Sequence, residues 1–447
     1  MKRPTAPAHV CTECGHRPHQ WAGRCPQCGT WDSVVPVEPH ATPAAVEVLP
    51  LAEINPGARP RLRTGIAELD RVLGGGFVPG SVVLLAGEPG IGKSTLTLQA
   101  AEALEHSGQR VLLVCGEESL EQVAARARRL GTKLGGIRAT AATDVPTVIA
   151  QAAGFGVVVV DSIQTMSQAE TTGEAGSVSQ VKACSAALAR QARTSGATVV
   201  LVGHVTKEGS VAGPRVLEHV VDAVLTFEGD RAHMLRTVRA SKNRFGPTAE
   251  VGVFEMTARG LREVADASQL FLVDRDPSTP GSAIGCVLEG RRPLALEVQA
   301  LVGRAEVSLP RRIANGVDSA RLGVTAAVLA NRTEAYGARF GMRDIHASIP
   351  GGFRTSEPGL DLALVLAMVS ARGDRPVPEG VAAIGEVGLG GEIRSVPAID
   401  ARLAELARVG IRRVMVPATA AVEFSGIALS RVPNLRMALR AVKSRIG

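Results

Sequence analysis

The chain has 447 residues, of which 45% are apolar and only 3% aromatic. That length allows two or three domains, and their cores must be built from Val, Leu, Ile and Ala. Such a composition suits buried parallel strands better than a sandwich. Apolar runs such as residues 157–160 are far short of a membrane span, and residues 1–10 lack the apolar stretch of a signal peptide. A soluble, cytoplasmic protein with no membrane partner is expected.

The net charge is +7, unevenly spread. Residues 401–447 hold nine Lys/Arg against Glu405 and Glu423. Such a tail either contacts phosphates or is an ordinary solvated helix face.

Residues 1–35 form a Cys-rich module that carries both tryptophans, Trp21 and Trp31. Cys11 and Cys14 make one C-x-x-C pair, Cys25 and Cys28 a second, with ten residues between them. Gly15 and Gly29 follow the pairs in register, so a tight turn lets both pairs of thiolates face one ion. Four thiolates around Zn²⁺ form a closed structural site. A module this small builds little core, so the metal supplies its folding energy. The competing readings are a redox disulfide pair and ligation by His9, His16 or His19. Cys115, Cys184 and Cys286 read as small core residues.

Residues 36–58 are rich in Pro and Ala and read as a linker. Residues 59–268 alternate aliphatic runs with helical patterns, which predicts a parallel α/β sheet. Strands are expected at 82–86, 110–115, 157–160 and 198–202, with a strand pair at 220–227 and 234–240. Helices are expected at 93–105, 121–130 and 178–194, with Arg126, Arg128 and Arg129 on or near the surface.

Between the first strand and the first helix stand Gly87, Glu88, Pro89, Gly90, Ile91, Gly92, Lys93, Ser94 and Thr95. They satisfy G-x-x-x-x-G-K-[ST] in the strand–turn–helix context that motif requires. Backbone N–H groups wrap the phosphates of ATP, Lys93 reaches the β- and γ-phosphates, and Ser94 holds Mg²⁺. Thr95 adds a phosphate contact. Asp161 ends a buried strand, where a carboxylate binds Mg²⁺ through water. Glu117 and Glu118 follow another strand, and one of them orients the attacking water. Glu117 is favoured, although both also sit where a helix begins. His204 ends a third strand, either as a γ-phosphate sensor or as a plain strand-end polar residue.

Residues 269–447 form a second alternating region. It begins near Asp274-Arg-Asp-Pro-Ser-Thr-Pro280.

The order of these motifs, followed by Gly116-Glu-Glu-Ser119 and Lys242-Asn-Arg-Phe-Gly246, resembles the bacterial RadA/Sms family over nearly the whole chain. The K-N-R-F-G pentapeptide is far more specific than a P-loop alone. The resemblance implies a RecA-like P-loop ATPase core with a small zinc module and a C-terminal α+β domain similar to the Lon protease. It implies a homo-oligomer, a hexameric ring, that works with RecA on single-stranded and branched DNA by branch migration. It also places Lys242 and Arg244 at a subunit boundary, facing a neighbour's ATP or the DNA, with Phe245 and Gly246 shaping the turn. Two loops, 168–177 and 207–215, are the flexible candidates for DNA contact, with Lys207 and Arg215 as their basic residues.

Residues from about 270 onward are similar to the Lon proteolytic domain. Aligned on Pro358, the nucleophile position holds Gly359, and the lysine position holds Asp400; Ser356 is off register. Glycine and aspartate supply neither hydroxyl nor base, so a non-proteolytic domain is expected. The rival functions are a Lon-like protease and a KaiC-like signalling or scaffold ATPase.

Overall fold

A computed structural model describes residues 9–36, 60–204, 214–229, 235–305, 309–333 and 340–443, apart from Arg17, His19 and Leu134, together with Pro50 and Ala52. The chain divides into two compact units, residues 1–58 and 59–447. No helix among the described residues is long and apolar enough to cross a membrane.

In the first unit, strands β1 (His9–Cys11) and β2 (Val34–Pro36) pair antiparallel. Among the described residues its buried apolar cluster consists of Cys11, Cys25 and Val34. A core this small in the described part of the module leaves little apolar burial to hold it.

The second unit contains a nine-stranded sheet. In chain order its strands are β3 (Val82–Gly87), β4 (Val111–Cys115), β5 (Arg138–Thr140), β6 (Val157–Asp161) and β7 (Thr198–His204). They continue as β8 (Ala223–Glu228), β9 (Leu235–Asn243), β10 (Val251–Thr257) and β11 (Gly260–Glu263). The spatial order is β11-β10-β9-β8-β3-β7-β6-β4-β5. From β8 to β5 neighbouring strands run parallel, and β9 to β11 complete the sheet antiparallel. Residues of β3, β4, β6 and β7 are buried on both faces, as their unbroken Val and Leu runs require.

The expected helices form at Lys93–His106, Leu120–Leu130 and Val178–Ser195. Ser119 and Gln122 make a reciprocal capping box at the second, and Gly131 ends it in the left-handed region at φ 78°. The short strand β5 and the hairpin of β10 and β11 go beyond the expected elements. β5 is three residues long and Arg/Thr-containing, so it carries little periodic signal.

The C-terminal region builds a seven-stranded mixed sheet, including β12 (Ser282–Glu289) and β13 (Arg292–Arg304), with helices Ser319–Arg332 and Asp361–Gly373. It is joined to the nine-stranded sheet by apolar and polar contacts. Helix Ala267–Leu272 spans the expected boundary at 268, and its Ala267 and Phe271 share a core with Val251 and Val253 of β10. Arg292, just past the β12–β13 turn, pairs with the buried Glu68, which also accepts from Val253 N–H at 2.9 Å. Arg239 of β9 pairs with Glu289.

Candidate nucleotide and metal sites

Four parallel strands deliver the P-loop, Glu117, Asp161 and His204 to one edge of the sheet. Ligands of open α/β sheets bind at this carboxyl edge. β3 ends at Gly87, and the chain turns through Gly90 at φ 75° and Gly92 at φ 116° before Lys93 opens its helix. A side chain at Gly92 would sit 2.7 Å from Met256 Cε as well as in a disfavoured backbone region.

Lys93 is 3% exposed. Its Nζ donates to Gly87 O and Glu88 O, each at 2.9 Å, and lies 3.1 Å from His204 Nδ1. Burial lowers its pKa, opposed by the carboxylates of Asp161 and Glu117. His204 reaches Glu117 Oε1 through Nε2 at 2.6 Å. Ser162 donates to the same oxygen. These two hydrogen bonds, that from His204 being the stronger influence, hold the Glu117 carboxyl below the ordinary glutamate range despite its partial burial.

Glu118 borders the same cavity but pairs with Arg126 instead of His204. The structure thus separates two glutamates that the sequence left side by side. Arg126, expected on or near the surface, is turned inward, and its side chain is 18% exposed; Arg128 and Arg129 are exposed. The helical period places Arg126 on the inner face, and its length reaches back to Glu118.

Burial raises the Asp161 pKa, against a hydrogen bond with Ser94. Asp161 Oδ1 is buried with no hydrogen-bond partner. A cavity of about 40 Å³ beside it is lined by Ser94, Glu117, Glu118, Arg126 and Asp161, among others. An orphaned carboxylate oxygen next to a hydroxyl fits a divalent cation with its water, so Ser94 and Asp161 suit Mg²⁺. Bound there with nucleotide, Mg²⁺ would neutralise charge on the phosphates.

In the N-terminal module, the Sγ atoms of Cys11, Cys14, Cys25 and Cys28 all lie within 4.8 Å of one another. Cys11–Cys28 and Cys14–Cys25 are 3.6 and 3.7 Å apart. A tetrahedral Zn²⁺ with Zn–S of about 2.3 Å requires S···S of about 3.8 Å. Gly15 and Gly29 adopt φ of 71° and 73°, as the turns demand. His9 and His16 are outside the cluster, and His19 lies outside the described residues.

Lys242 lies near the end of β9 and Arg244 just past it, both with partners in their own chain. Lys242 Nζ donates to Val221 O at 2.9 Å and to Glu218 O. Its pKa is lowered by burial and by Arg244. Arg244 Nη1 donates to Asp222 at 3.0 Å, and Asp222 also accepts from Val82 N–H. Phe245 is exposed, and its carbonyl accepts from Arg61. Segment 168–177, expected to be a flexible loop, is tied down. The buried Gln180 bonds Gln168 N–H, Gln168 O, Thr171 O and Gly173 O. Lys207 and the side chain of Arg215 lie outside the described residues.

In the C-terminal region Gly359 is buried, whereas Ser356 and Asp400 are exposed. The residue opposite Gly359 is Arg402, 1% exposed. Arg402 Nη1 donates to Glu357 at 2.7 Å and to Cys286 O at 2.6 Å. Glu357 in turn accepts from Gly359 N–H at 3.0 Å. A Cβ at Gly359 would meet Glu357 Oε2 at 2.7 Å and Arg402 Nη1 at 2.8 Å. The basic tail is also partly consumed by the fold. Arg402 is buried, Arg408 pairs with Asp266 and Glu405, and Arg431 donates to Ala420 O and Val422 O.

The fold and its P-loop edge define a RecA-like ATPase that carries a four-cysteine zinc ribbon and a Lon-type C-terminal domain. Residues 58–210 match the AAA domain family, residues 9–36 the rubredoxin metal binding domain, and residues 278–442 the Lon protease (S16) C-terminal proteolytic domain. The DNA repair protein RadA of Bacillus subtilis (strain 168) is 42% identical, over 96% of this chain and 97% of that protein. RadA of Escherichia coli (strain K12) is 43% identical, over 92% of each. Among solved structures, the RadB recombinase aligns with 45% of this chain and 99% of its own, at 26% identity and a TM-score of 0.36. The chain belongs to the DNA repair protein RadA family. It is a DNA repair protein with a RecA-like ATPase fold, and its middle domain supports ATP hydrolysis.

Proposed function

We propose that this chain is a DNA-dependent ATPase of homologous recombination. It binds single-stranded and branched DNA in the cytoplasm and promotes RecA-mediated strand exchange by branch migration, as a homo-hexameric ring. The working parts are a zinc module (residues 1–35), a linker (36–58), an ATPase domain (59–268) and a Lon-like domain (269–447).

One observation carries this reading. His204 bridges Lys93 and Glu117 and is the last residue of β7, so the segment from 205 onward starts at the nucleotide site. Past its far end, Lys242 grips Glu218 O and Val221 O. A change in phosphate occupancy at Lys93 acts through His204 on the start of the segment that carries Lys207 and Arg215, our DNA-contact residues. Glu117 is the group that orients the attacking water. Lys93, with the backbone of Gly87, Glu88, Pro89, Gly90, Ile91 and Gly92 and the hydroxyl of Thr95, holds the phosphates. In the ring, Lys242 and Arg244 exchange their contacts with Glu218, Val221 and Asp222 for ATP or DNA across the subunit boundary, where a cation stabilises developing phosphate charge.

The Lon-like domain is not a protease. Support comes from the Glu357–Arg402 pair, which occupies the space a nucleophile at Gly359 would need. The test is the ATPase rate with and without single-stranded DNA, paired with native mass. Stimulation by DNA in a hexamer is expected. A monomer hydrolysing ATP at one rate with or without DNA would refute the reading.

A further inference from the structure

The two tryptophans of the chain are left unexplained by the metal site. They are 63% and 69% exposed, although the zinc module is otherwise too small to spare apolar bulk. Cys25 N–H bonds Thr30 O at 2.9 Å, and Asp32 N–H bonds Gly23 O at 2.8 Å. This hairpin, carrying the second Cys pair, presents Trp31 on one arm and Arg24 opposite it. The tips of both rings flank Gly23. A Cβ there would lie 3.7 Å from Trp21 Cη2 and 3.9 Å from Trp31 Cζ3. The Arg24 guanidinium lies 5.8 Å from the Trp31 ring centroid, steadied by a 2.7 Å bond from Nε to Gly29 O. Among the described residues, no carboxylate pairs with Arg24.

We infer that Trp21, Trp31 and Arg24 form a stacking platform for unpaired nucleobases, with Arg24 placed for the adjoining phosphate. This rests on the single-stranded DNA reading above and adds a contact on the zinc module. A protein interface surrounds its Trp and Arg anchors with further packed side chains that exclude water. Among the described residues of 9–36, the other exposed large apolar side chain is Val35. Two isolated ring faces beside a cation match bases, because every base offers a π-face and every step a phosphate. A metal-tied hairpin holds the rings with little ordering cost on binding.

Both tryptophans of the chain are in this module, so intrinsic fluorescence of the full-length protein reports on it alone. A labelled oligothymidylate is titrated, following its anisotropy and the tryptophan emission together. We expect saturable quenching, and an abasic oligonucleotide of equal length should not quench. Trp21→Ala and Trp31→Ala should each weaken the quenching isotherm about tenfold with zinc content unchanged, and Trp31→Phe should retain most of the affinity. Binding without quenching overturns the platform and leaves the DNA reading standing. Neither binding nor quenching overturns both. Quenching by RecA but not by oligonucleotide overturns the platform and makes the surface a protein-docking site.

Discussion

Glu117 and Lys93 never touch, yet one imidazole holds both: His204 lies 2.6 Å from the carboxylate and 3.1 Å from the ammonium. A phosphate entering the P-loop competes for Lys93 and therefore disturbs the group that holds Glu117.

Lys93→Ala removes the cation from a buried position and should abolish ATP turnover. The far-ultraviolet circular dichroism should not change. Retained turnover would refute the P-loop assignment.

Glu117→Gln should lower kcat by about 10²–10⁴-fold, the usual weight of a general base, and nucleotide affinity should persist. Glu118→Gln should cost far less, since that carboxylate is engaged with Arg126. Equal losses in both variants would remove the distinction drawn here.

The acid limb of kcat/KM reports free-enzyme groups. Because His204 and Ser162 depress the Glu117 pKa, the carboxylate stays ionised to lower pH than an ordinary glutamate, and the limb lies correspondingly low. His204→Ala removes the larger of the two hydrogen bonds and should shift the limb upward in pH. An unmoved limb would show that Glu117 does not set it.

Lys242→Ala should slow branch migration in a three-strand exchange assay more than it weakens nucleotide binding. It also frees the carbonyls of Glu218 and Val221. A wild-type exchange rate would count against the role given to this lysine.

Breaking a buried ion pair from one side costs about 3–5 kcal/mol. Arg402→Ala should therefore lower the unfolding midpoint sharply. Casein should stay uncleaved with ATP in the wild-type protein and in the double variant Gly359→Ser with Asp400→Lys, because Asp400 is exposed and the Glu357–Arg402 pair fills the opposing space. Cleavage by the wild type would reinstate the protease reading.

Local pattern determined much of this protein. The Cys pairs with glycine in register, the P-loop between strand and helix, and the unbroken valine strand ending in Asp161 are all short-range statements. Their geometry follows from turn chemistry and strand burial, which neighbouring residues alone specify. Only the tertiary structure decided which glutamate faces Lys93, because Glu117 and Glu118 are adjacent and their choice depends on His204, 87 residues away. The same holds for Arg402, which a register argument passed over in favour of Asp400; side-chain direction on a helix is resolved by what packs against it. Gln180 likewise ties down a segment whose composition reads as loose, since a buried amide can satisfy four backbone groups that sequence spacing does not bring together.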